Sequence, residues 1–101
     1  MESSVDRLDL PPDRSFSYDG RYIVSRVVGK DGSLVRELRY DAGLADWAPM
    51  PIKHGKHKGG MRVVIRFTPV AGSVRNNEMF DVPAADVESV TAWLDRFVRR
   101  H

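Results

Sequence analysis

Cysteine is absent from the 101 residues, which excludes disulfides, thiolate metal ligands and a cysteine nucleophile together. Long apolar runs are missing too. The longest fall far short of the roughly 20 residues that a membrane helix needs, so no membrane span is expected. No positively charged stretch leads into an apolar segment near Met1, and the expectation is a cytoplasmic chain without a signal peptide. Excess charge of one sign is small, at +2, and by itself names no partner. A chain of this length has room for one domain.

What the chain does have is uneven charge. Residues 1–20 balance at −3, residues 21–80 at +6 and residues 81–101 at −1. The middle is the basic part. Residues 1–14 are polar and acidic, with Pro11-Pro12 favouring an extended form, and read as a flexible N-terminal arm that Leu8 and Leu10 could dock. Residues 15–101 then read as a single α+β domain with a long basic loop at 41–60.

Two β-branched runs, Arg21–Val28 and Ser33–Tyr40, flank Asp31-Gly32, a strong hairpin signal because glycine accepts the positive φ of a tight turn. A two-residue turn sets Arg26 opposite Glu37, a favourable cross-strand pair. A three-residue turn over Lys30–Gly32 with a bulge sets Arg26 against Arg36 and Tyr22 against Tyr40. The charge pairing favours the first. Met61–Thr68 is the clearest strand, with Met61, Val63, Ile65 and Phe67 on one face and Arg62, Arg66 and Thr68 on the other. Glu78–Val82 adds a short strand. Pro83 opens a helix whose stripe runs through Val87, Val90, Leu94 and Phe97 or Val98. The expected fold is an antiparallel sheet of about four strands, in ββββα order, with the amphipathic C-terminal helix on one face.

Chemistry-bearing clusters are few. Lys53, Lys56 and Lys58 share a glycine-loosened loop with His54 and His57, where they could track a phosphate backbone. A solvated loop explains the same composition. The two histidines lack the further ligands that zinc needs, so no metal or cofactor is expected. Serines fall outside nucleophile-elbow patterns, and the carboxylate pairs Asp41/Asp46 and Asp81/Asp86 suit turns and a helix start, so no enzyme activity is expected. Arg62 and Arg66 on the third strand, with Arg21 and Arg39 on the hairpin, suggest a basic sheet face that binds single strands with help from Tyr22. Trp93 reads as core. Trp47 reads as a residue pinning its loop, or as an exposed anchor for a partner.

Together these features lead to a non-enzymatic module that contacts DNA or RNA through Arg21, Arg39, Lys53, Lys56, Lys58, Arg62 and Arg66; a homodimer is compatible with that reading. The alternative is a protein-interaction or regulatory module that holds a protein partner with Trp47, a sheet edge or the helix.

Overall fold

The computed structural model describes residues 6–71 and 74–101. Two sheets and one helix follow in the order β1 (Asp6–Leu10), β2 (Arg14–Tyr18), β3 (Tyr22–Val28), β4 (Leu34–Asp41), β5 (Asp46–Pro51), β6 (Met61–Phe67), β7 (Asn76–Val82), α1 (Val87–Phe97) and β8 (Arg99–Arg100). Short 3-10 turns precede β5 and α1. The first sheet is an antiparallel meander, β1-β2-β3-β4. The second has the order β7-β6-β5-β8, antiparallel except where β8 lies parallel to β5. The α+β class, a four-stranded antiparallel sheet and the C-terminal helix are as the sequence implies. The second sheet is the addition. No helix among the described residues is long and apolar enough to cross a membrane.

Two stretches differ from the sequence reading. Residues 6–14, read as part of a free arm, hold β1 and the start of β2, because Leu8 and Leu10 alternate with Arg7 and Asp9 and pack against the core. Residues 1–5 lie outside the described residues. The 41–60 connection holds β5, whose prolines disguise it. His101 N–H donates to Trp47 O at 2.7 Å, so Trp47, Pro49 and Pro51 turn their backbone groups to the outer edge of β5. Proline lacks only an outward N–H there, and the edge is closed to further strand pairing.

The inward positions of both sheets share one core with the helix. Phe16, Ile23 and Tyr40 come from the first sheet, Trp47, Val63, Ile65, Phe67 and Val82 from the second, and Val90, Trp93 and Leu94 from α1. Tyr40 stacks on Phe67 with ring centroids 4.3 Å apart, across the two sheets. Helix α1 spans both: Phe97 stacks on Tyr18 at 4.2 Å, and Asp95 accepts from the Trp47 indole at 3.1 Å. Gly60 is required where β6 begins. A Cβ there would run into the Val82 carbonyl.

The β3–β4 hairpin combines both turn options. Gly29 N–H bonds to Ser33 O at 2.8 Å around a three-residue turn, with Gly32 at φ 84°. A bulge at Val35 then restores the register, leaving Arg26 opposite and ion-paired to Glu37. The extra residue is unpaired and 66% exposed.

Between the sheets lies one buried carboxylate. Glu78 of β7 accepts from Arg14 at 2.5 Å, from the Ser25 hydroxyl at 2.5 Å, from Arg36 at 3.3 Å and from the Tyr40 hydroxyl at 3.5 Å. Burial, reinforced by the Glu78 charge, pushes the Tyr40 phenol well above its ordinary pKa. Burying a carboxylate is unfavourable unless its lone pairs are filled, and here donors from three strands fill them. Glu78→Ala strands those donors, so denaturant unfolding should show a loss of about 3 kcal/mol. Glu37→Ala, on an exposed pair, should lose under about 1 kcal/mol. Equal losses in the two variants would show that the buried network does not hold the sheets together.

Candidate binding surface

The residues expected to form one basic face are divided between two sheets. Arg39 lies on β4 of the first sheet and Arg21 just before β3, and the two flank Tyr22. Arg62 and Arg66 lie on β6 of the second. Arg21 pairs with Asp41 at 3.2 Å, and that carboxylate raises its pKa. Arg62 grips Asp81 with Nε–Oδ1 2.7 Å and Nη2–Oδ2 3.3 Å, and Arg66 grips Asp46 with 2.8 and 3.2 Å. Arg39 pairs with no carboxylate among the described residues but lies 4.5 Å from the Tyr22 ring centroid, with Arg21 at 5.0 Å. The protein's own guanidiniums therefore occupy the ring proposed to stack on bases. Trp47 is fully buried. It pins β5 to α1 and offers no exposed anchor.

This pairing is general. Among the described residues, ten of the twelve arginines lie within 4 Å of a carboxylate. The lysines behave differently. Lys53, Lys56 and Lys58 are exposed and make no ion pair among the described residues. Their loop is built rather than loose: Ile52 N–H bonds to Gly60 O at 3.1 Å, Gly59 N–H to Ile52 O at 2.9 Å and Gly60 N–H to His57 O at 2.8 Å. Among the described residues no group of three or more His, Cys, Asp or Glu side chains is placed to hold a metal ion. His57 instead borders a cleft of about 300 Å³ with Asp13, Asp81 and Asp86, where acids outnumber free bases.

The outer face of the second sheet holds the feature that sequence reading missed. Cross-strand registry arranges it in rows. Met50, Arg62 and Asp81 form one; Ala48, Val64 and Met79 the next; Arg99, Asp46, Arg66 and Asn77 the third. Each row is two residues from its neighbour, about 7 Å. Met79 is 54% exposed and Met50 50%. An apolar band therefore crosses the face, bounded at one end by the Arg62–Asp81 pair and the Lys53–Lys58 loop. At the other end Arg66 and Arg75 pair with Asp46, and Arg99 is its register neighbour on β8. The available signal was the alternation of β6 itself, which places Val64 between Arg62 and Arg66, but its neighbours became visible only with the pairing of β5 and β7.

Comparison with known proteins returned no match: no family model fits the chain, and no curated protein or solved structure is significantly similar to it.

Four carboxylates titrate low for identifiable reasons. Hydrogen bonds from Arg66 hold Asp46 below 3.8, those from Arg62 do the same for Asp81, and backbone N–H groups of Tyr22 and Arg21 lower Asp19. Ser33 lowers Asp31. With folded values depressed, the unfolded chain takes up protons first as pH falls. The stability they contribute is complete above the unfolded value and is lost as pH drops through the lower folded values. Denaturant midpoints should stay level down to about pH 5 and decline below it. A decline beginning near neutral pH would show that these carboxylates do not set the acid sensitivity.

Proposed function

We propose that the chain is a non-enzymatic binding module that holds a protein partner on the outer face of its second sheet. The band of Ala48, Val64 and Met79, with Met50 beside it, carries this reading. Methionine and arginine are enriched in protein interfaces while lysine is depleted, and unbranched methionine adapts to varied apolar shapes. The flanking Arg62–Asp81 and Arg66–Asp46 pairs supply a polar rim. Positive charge at both ends favours a segment with an apolar middle and anionic flanks.

Contact with DNA or RNA is the competing reading, supported by the unpaired lysines of the 52–60 loop. Its strength is limited by number: three phosphate contacts on duplex DNA give a log–log salt slope of only about −2.7. The arginines that would extend the track are mostly committed to carboxylates.

A photoreactive residue in place of Met79 tests the choice, with one in place of Lys30, at the far hairpin, as control. Exposed to an extract of the native cells, the Met79 position should yield a discrete protein adduct that survives nuclease treatment, and the Lys30 position should not. The same adducts from both positions, or none from Met79, would overturn the reading. Nuclease-sensitive adducts, with oligonucleotide binding lost on replacing the three lysines, would put the nucleic-acid reading in its place.

A further inference from the structure

Asp46 lies inside a concentration of positive charge. Arg66 reaches it from β6 at 2.8 and 3.2 Å, and Arg75 reaches it at 2.9 Å from the segment before β7. Arg99 is its neighbour across the parallel β5–β8 pair. His101 Nδ1 is 2.6 Å from Arg66 Nη2, and its backbone is tied to Trp47 O. Two guanidiniums therefore contact one carboxylate and Arg99 stands beside them in the same row, so the side chains of these three arginines and Asp46 sum to two surplus positive charges.

We propose that Arg66, Arg75 and Arg99 form a binding site for a phosphate monoester, borne by a phosphorylated side chain of the partner held on this face. The inference rests on the reading of that face as the partner surface. Its first support is charge. A phosphate monoester carries about −1.5 to −2 at neutral pH, matching the local excess, whereas a carboxylate or a backbone phosphodiester brings only about −1.

The second support is donor supply. Arg66 gives Nε–H to Asp46 and directs Nη2 at Asp46 and His101, which leaves both Nη1 hydrogens. Arg75 spends one nitrogen on Asp46, and Arg99 is exposed with no side-chain hydrogen bond among the described residues. Planar guanidinium forks match phosphate oxygens in pairs. The third support is position. The Arg99–Asp46–Arg66 row adjoins the Ala48–Val64–Met79 band, so a phosphorylated residue can dock about 7 Å from the apolar anchors of the same segment.

The test presents the immobilised full chain with a peptide library carrying a fixed phosphoserine, phosphothreonine or phosphotyrosine, beside the same library unphosphorylated. Phosphorylated peptides should be retained at least about tenfold better, with apolar residues enriched on one side of the phosphate. The double variant Arg75→Ala, Arg99→Ala should abolish that preference while leaving circular dichroism unchanged and lowering the thermal midpoint by no more than the loss of one exposed ion pair; both side chains are exposed, and neither contributes to the core. Equal retention of the two libraries would overturn the phosphoryl site, and if that retention were lost in Met79→Lys the partner surface itself would stand. A preference that survives in the double variant would also overturn it. So would displacement by single-stranded oligonucleotide at matched phosphate concentration, which would assign the arginines to nucleic acid. Inorganic phosphate competing as well as the peptides would reduce the site to one for the free anion and overturn the partner assignment.

Discussion

Glu78 lies between two sheets with none of its side chain exposed, and its oxygens set conditions on four strands. β7 must point that residue inward, while β2, β3 and β4 must bring Arg14, Ser25, Arg36 and Tyr40 to it. A strand's faces alternate strictly, so one inward residue determines the rest. With Glu78 inside, Asn77 and Met79 have to lie outside. The methionine that completes the apolar band is thus placed by a carboxylate on the opposite face. Arg14 also lies over the Phe80 ring at 4.6 Å, so the network joins the aromatic core without a break.

The basic middle of the sequence acquires a different meaning from this arrangement. Its arginines are mostly counter-charges for acids distant in the chain: Arg36 for Glu78, Arg66 and Arg75 for Asp46, Arg62 for Asp81. Guanidinium suits that task because its fork matches a carboxylate and it is less strongly hydrated than ammonium. Lysines 53, 56 and 58 stay in solvent. Charge counted along the chain says how much is present, and pairing in space decides how much reaches the surface.

Strong local periodicity made some elements legible. Met61, Val63, Ile65 and Phe67 are all buried on β6, and Val90 and Leu94 of the helix stripe are both core. The helix itself starts at Val87, after a 3-10 turn following Pro83, and Arg99 and Arg100 pass into β8 beyond its end. Other elements depended on partners that no short window contains. β1 has only two leucines before Pro11-Pro12, and becomes a strand because β2 offers Phe16 and Arg14 opposite them. β5 contains two prolines, which local propensity excludes from strands, yet both face a free edge. Glu78 sits between Asn77 and Met79 with no local sign of burial, since the closest of its donors in sequence is 38 residues away. The outer face was illegible for the same reason. Its rows join residues from four strands, and the members of any one row lie far apart in sequence.

Asp46 shows how one ion pair can serve both stability and recognition. Its carboxylate cancels one positive charge, which weakens attraction for an incoming anion. It also holds Arg66 and Arg75 in fixed directions, so less rotamer freedom remains to be lost on binding. A lone surface arginine keeps its full charge but must be immobilised at the moment of contact, at about 0.5–1.5 kcal/mol for such a side chain. With two guanidiniums fixed on one carboxylate and Arg99 beside them in the row, a charge surplus survives the cancellation while the geometry of Arg66 and Arg75 is already set. That balance distinguishes this row from the Arg62–Asp81 pair two rows away, where one guanidinium meets one carboxylate and nothing is left over.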